Sequence, residues 1–180
     1  MTLLLATLAG CDGTGPDGPN GCDVPDDTEL DEACACEEPA VRIGGGEDTF
    51  EAVEDGSPAI MVHGPQGGWH VLGSAWFENL TELVTIDYWI DVPSLGATVV
   101  DNAYRVVMVR DGTCAGYYPG MYGYLDVSDL AEGEADTPPE ILAGLEMVLH
   151  MNVEDSEGRT ASDELSVVAT PDPVDVDTGG

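Results

Sequence analysis

The side chains of this chain that could do chemistry are three histidines, five cysteines and 36 aspartates and glutamates. His63 and His70 flank Gly64-Pro65-Gln66-Gly67-Gly68-Trp69, where a Gly/Pro-rich break separates two apolar runs. The pattern reads as a β-hairpin: Pro65 presets a turn φ, and Gly67 and Gly68 tolerate the positive φ that closing a hairpin often needs. With a six-residue connection the two histidines stand opposite each other, their Cβ atoms about 4.5–5.5 Å apart. Imidazoles so placed can share one zinc or copper ion, with His150 or a carboxylate as third ligand. With a five-residue connection His63 faces Trp69 instead, and the pair dissolves.

Four cysteines besides Cys11 remain for structure: Cys22, Cys34, Cys36 and Cys114. They allow three pairings, and sequence does not choose among them. Cys34-Ala35-Cys36 is too tight to close on itself comfortably. The expectation is that one of this pair bonds Cys22 and the other bonds Cys114, stapling an N-terminal segment to the folded domain. A zinc held by all four is the alternative, although the spacing lacks the two C-x₂-C pairs of a zinc ribbon.

Aromatic residues are the next candidates for contact with a ligand. Trp89 falls on the polar face of an alternating strand, and Trp69, Tyr117 and Tyr118 lie in or beside predicted turns. Aromatics beside carboxylates can hold sugar rings; the alternative is that the rings fill the core and sheet edges. Catalytic motifs are missing. There is no G-x-S-x-G elbow and no H-E-x-x-H pair, and Gly44-Gly45-Gly46 is followed by acids that would repel phosphate. The chain is therefore read as a non-enzyme without a dedicated cofactor, a divalent cation being the one such ligand its residues suggest. Asp175-Val176-Asp177-Thr178-Gly179-Gly180 begins a calcium-loop pattern without completing it.

Charge narrows the classes of partner. Formal net charge is −32, with four arginines and no lysine. Phosphate binding needs clustered basic residues, so nucleic acid is excluded as a partner. Electrostatic docking on anionic lipid is disfavoured for the same reason.

The elements that must position these residues begin with a tether. A short apolar run over residues 3–9 ends in Leu8-Ala9-Gly10-Cys11 and turns abruptly polar. It is too short to span a bilayer. This stretch resembles the lipobox of bacterial lipoproteins. The resemblance implies cleavage before Cys11 and acylation of that cysteine, with several chains giving stable anchoring. It also implies an envelope location, periplasmic or cell-surface, where disulfides persist. The basic n-region of a signal peptide is missing, as a start codon placed too late would produce. Residues 1–10 are thus the signal segment. Residues 11–40, rich in Asp, Glu, Gly and Pro, are a flexible acidic tether that cannot bury enough to order itself. The folded domain is expected over 41–171, and an acidic tail over 172–180.

Within that domain, Val84, Ile86, Tyr88 and Ile90 alternate with Thr85, Asp87, Trp89 and Asp91, the period of a half-buried strand. Leu145, Met147, Leu149, Met151 and Val153 face one way, and Glu146, Val148, His150, Asn152 and Glu154 the other. Pro119-Gly120 reads as a break before a strand over 121–127. Thr137-Pro138-Pro139-Glu140 has the form of a capping box with proline at the first helical position, giving a turn or two of helix. Seven to eight short strands with turns every eight to twelve residues predict an all-β antiparallel β-sandwich. The stretch Leu149-His150-Met151-Asn152-Val153-Glu154-Asp155-Ser156-Glu157-Gly158-Arg159-Thr160-Ala161-Ser162 resembles the closing hairpin of bacterial immunoglobulin-like and PKD-like modules, which implies an immunoglobulin-like sandwich. The whole chain resembles acidic lipoproteins of high-GC Gram-negative bacteria. The function expected is a lipid-anchored envelope module that binds or supports an envelope protein or glycan, presenting residues 64–68 and 115–120 as loops; metal binding is the alternative.

Overall fold

The computed structural model describes residues 29–65, 67–131 and 137–173. The lipobox with Cys11, the tether through residue 28 with Cys22, and the tail from residue 174 lie outside the described residues. A four-residue helix, α1 (Glu32–Ala35), precedes ten strands: β1 (Ala40–Gly45), β2 (Glu51–Ala52), β3 (Ser57–His63), β4 (Trp69–Glu78), β5 (Leu83–Val92), β6 (Ala97–Val107), β7 (Val109–Arg110), β8 (Ala115–Tyr124), β9 (Glu146–Asp155) and β10 (Thr160–Pro171). Helix α2 (Pro138–Leu142) lies between β8 and β9. β2 and β7 are two residues each, too short for alternation to register, so the sequence pattern counts only the eight longer strands.

The strands form two layers. β10, β9, β5 and β6 run side by side, each antiparallel to the next. In the other layer β4 pairs with β8, which pairs with β7, while β1 covers the opposite edge of β4 and carries β2. β3 belongs to both. Its residues 57–61 run parallel to β10, and Val62 and His63 pair antiparallel with β4. In immunoglobulin lettering, β3 is a split A strand, β4-β8-β7 is B-E-D, and β10-β9-β5-β6 is G-F-C-C′. The fold is an all-β sandwich of this type, with β1 and β2 added at the A edge.

Alternation builds the core. Val84, Ile86, Tyr88, Ile90 and Val92 of β5 are buried with Met147, Leu149, Met151 and Val153 of β9, and meet Val71, Ala75, Phe77 and Met121 from the other layer. Tyr88 stands where its ring needs glycine on both facing strands. A Cβ on Gly73 would lie 3.1 Å from its hydroxyl, and one on Gly123 would lie 3.1 Å from Cε1. Hydrogen bonds join the layers at both sides. On one, Asn102 Nδ2 and Tyr104 Oη donate to the Tyr122 carbonyl at 2.8 and 2.6 Å. On the other, Ile43 N–H donates to Asp163 Oδ2 at 2.7 Å.

Two local expectations are corrected. Pro119-Gly120 is not a break, and residues 115–120 are not a loop: both lie within β8. Register passes from Gly73↔Met121 to Ala75↔Tyr118, so Ser74 faces two residues. A bulge of this kind accommodates a proline that has no N–H for the ladder. Gly120 supplies the positive φ of 64° and donates to the Gly46 carbonyl. The tether also ends earlier than residue 40. Leu30 and Cys34 are buried, Cys34 is bonded to Cys114, and Arg159 donates to the carbonyls of Cys34 and Glu37. The helix over 138–142 forms as its capping box dictates: Glu140 Oε2 accepts from the Thr137 N–H at 2.8 Å and its hydroxyl at 2.9 Å.

Candidate functional site

The outer face of the β6-β5-β9-β10 layer carries the residues that alternation keeps out of the core. Cross-strand register arranges them in rows. Trp89 stands between Asp101 on β6 and His150 on β9, and His150 stands opposite Glu164 on β10. The next row holds Asp87, Asn152 and Ser162; the one after holds Arg105, Thr85, Glu154 and Thr160. The Trp89 indole and His150 imidazole are stacked, centroids 4.8 Å apart and planes 6° from parallel. His150 Nε2 lies 3.2 Å from Asp91 Oδ2, and Nδ1 lies 3.3 Å from Glu164 Oε2. One face and both nitrogens of the imidazole are thus engaged, which fixes the ring and holds Trp89 upright against it.

Beside this stack is a cleft of about 390 Å³ bordered by Trp89, His150, Asn152, Ser162, Asp163 and Glu164. A second, of about 460 Å³, is bordered by Thr85, Asp87, Asn152, Glu154, Thr160 and Ser162 among others. Sharing Asn152 and Ser162, the two make one groove across β5, β9 and β10. Its charge is acidic. Asp87 and Glu154 have no ion-pair partner among the described residues, and Arg105, opposite Thr85, is the one arginine on this face. The other three are engaged elsewhere: Arg42 with Glu78 and the rings of Phe50 and Trp76, Arg110 with Glu82, and Arg159 with the α1 segment.

The proposed metal trio is not brought together. Val62 pairs with His70 and His63 with Trp69, so the hairpin connection has five residues. Its closure explains why: Gly64 N–H donates to the Gly68 carbonyl and Gly67 N–H to the Gly64 carbonyl, with positive φ at Gly67 and Gly68. His63 then packs on Trp69, ring centroids 5.0 Å apart. His70 points to the opposite face, against Tyr122 at 4.9 Å and Tyr124 at 6.1 Å. It is 6% exposed, and its Nδ1 has no hydrogen-bond partner among the described residues. Burial lowers its pKa, opposed by the nearby Glu47 carboxylate. His150 sits on the other layer. Among the described residues no three His, Cys, Asp or Glu side chains are grouped to hold a metal.

The cysteines among the described residues are structural. Cys34 and Cys114 form a disulfide across 80 residues of sequence. Cys36 is disulfide-bonded too, and its expected partner Cys22 lies outside the described residues. With these sulfurs oxidised, the four-cysteine zinc site is excluded. The aromatic candidates are also dispersed. Tyr117 lies opposite Trp76 in the other layer, Tyr118 packs against the core, and Trp69 rests on His63. Sequence reasoning placed Trp89 and His150 on outer faces but did not join them; Asp91 and Glu164 went unremarked as partners. Alternation signals the face, whereas the β5–β9 pairing that makes the contact leaves no local mark.

Fold and face together define an immunoglobulin-type sandwich with an acidic, aromatic-containing groove on its four-stranded layer. No protein-family profile matches the sequence, and no curated protein matches it. Among solved structures, the CooA pilin subunit from enterotoxigenic Escherichia coli is similar over 76% of this chain and 100% of that chain, at 11% identity and a TM-score of 0.36. A likeness that loose carries no argument about function.

Proposed function

We propose that this chain is a lipid-anchored binding module of the bacterial cell envelope. In this reading Cys11 carries the acyl anchor, the acidic tether sets the reach, and the sandwich presents the groove over β5, β9 and β10. The observation that carries the binding role is the Trp89–His150 stack, held upright at the edge of an open groove. A large aromatic kept half-exposed on an otherwise polar sheet face is costly to leave in water and suits contact with a partner. The Cys34–Cys114 disulfide supports an oxidising compartment. The lipobox resemblance supports the anchor.

Two measurements test the reading. The first is metabolic labelling with a palmitate analogue in a Gram-negative host, with a basic n-region placed ahead of Leu3. Label and membrane association are expected, and both should be lost in Cys11→Ser. Label retained in that variant removes the anchor. The second replaces Asn152, in the groove, or Glu51, on the other layer, with a photo-crosslinking residue. Adducts from envelope fractions are expected at position 152 and not at 51; the reverse removes the binding role.

A further inference from the structure

We infer that the groove takes an extended, basic polypeptide segment with Lys or Arg at every second position, lying along the strand direction; this rests on the binding role proposed above. The argument begins with the register. On the outer face, successive rows are two residues apart along each strand, about 6.6–6.8 Å. Three consecutive rows each line the groove with a carboxylate: Glu164, which also holds His150, then Asp87, then Glu154. An extended peptide repeats its same-face side chains at the same interval, so alternate basic residues meet each row in turn. Between them, Asn152 and Ser162 offer a side-chain amide and a hydroxyl. Trp89 offers its indole to an aliphatic stem or a guanidinium, the side chains that pack well on aromatic rings.

Charge complementarity selects this occupant over the others. The chain's formal net charge of −32 repels a second copy, as it repels phosphate polymers and acidic proteins. A neutral saccharide would need an open aromatic face, and His150 covers one face of Trp89. It would also have to displace water from Asp87 and Glu154 without providing a charge in return. A cation gains from both carboxylates and from the ring.

The test uses the full chain with Cys11→Ser, so that it is not acylated, and two labelled peptides of identical composition. In one, Lys and Ser alternate; in the other, all Lys residues are grouped at one end. Fluorescence anisotropy at physiological salt should show the alternating peptide binding about tenfold more tightly. Asp87→Asn with Glu154→Gln should weaken it by about tenfold, the combined effect of two partly exposed charge pairs. Glu51→Gln with Glu54→Gln removes the same charge away from the groove and should change affinity by less than about twofold. All four positions are exposed, and unchanged melting temperatures would show that the variants fold. Equal affinity for both peptides, or equal loss in both double variants, would reduce the effect to non-specific attraction and overturn the inference. So would tighter binding of a neutral oligosaccharide, although crosslinking at position 152 would then still uphold the binding role. Failure of both the peptide and the crosslink removes the binding role as well.

Discussion

At the scale of single residues, His70 is a titratable side chain whose environment is poorly matched to its charged form. Its ring is enclosed by Tyr122, Tyr124 and the 64–68 connection, and Nδ1 lacks a partner among the described residues. Burial disfavours the imidazolium, so the folded-state pKa lies below the ordinary histidine value of 6.5. The unfolded chain therefore takes up a proton before the folded one does. The stability that neutral His70 contributes is complete above the unfolded value and is lost as pH falls below it toward the folded pKa. Protonation of the many carboxylates at lower pH relieves repulsion and acts in the opposite direction. The informative quantity is thus the difference between the chain and His70→Phe, which keeps an aromatic contact but cannot titrate. Thermal melts from about pH 8 to about pH 5 should show the chain losing stability relative to the variant as pH falls through about 6.5. A constant difference across that range would mean that His70 is not held neutral by burial.

At the scale of elements, the disulfide strap decides how the N-terminal segment joins the sandwich. Cys34 and Cys114 are 80 residues apart in sequence, and the bond ties α1 to the turn between β7 and β8. Closing a loop of that length in the unfolded chain corresponds to about 4.5 kcal/mol in the chain-entropy model. Cys34→Ala with Cys114→Ala should lower stability by about 2–4 kcal/mol in urea unfolding, and protease should then reach residues 29–38 in the still-folded protein. Protection equal to that of the parent would show that Leu30 and Arg159 hold the segment without the disulfide. Elements of this kind mark where the sequence could be read and where it could not. β5 and β9 were legible because one face is buried and the other wet, which imposes a period of two. The α2 capping box was legible because its hydrogen bonds are local. The β8 bulge was misread as a break, because a proline-glycine pair has the same local chemistry in a turn and in a bulge; only the neighbouring β4 decides. The site shows the same division. Trp89 was placed on its outer face, but its partner is His150 on β9, itself held by Asp91 of β5 and Glu164 of β10. The hairpin metal site turned on one residue of loop length, which the hydrogen bonds of Gly64, Gly67 and Gly68 settle.

At the scale of the whole molecule, charge and compactness oppose each other. The chain carries a formal net charge of −32, many of its acids lie on the sandwich that folding makes compact, and three of the four arginines are already committed to local contacts. Self-repulsion of this size destabilises the compact state unless solvent ions screen it. The screening length falls from about 30 Å at 0.01 M salt to about 8 Å at 0.15 M and about 3 Å at 1 M. Across that range it passes from the span of a small domain to the spacing of neighbouring side chains. Most of the repulsion between distant acids should therefore be removed in the first part of a salt titration, leaving the short-range pairs. The melting temperature should rise steeply with sodium chloride up to about 0.15 M and then level off. Chloride is the suitable anion, since sulfate strengthens apolar burial by exclusion and would lift the curve for another reason. A melting temperature that stays flat over the first part of the titration would show that repulsion among the acids does not limit stability. A curve that climbs steadily to molar salt would assign the gain to burial. The predicted early plateau instead describes a domain whose net charge is tolerated in a salty medium and remains available, at short range, for a cationic partner in the groove.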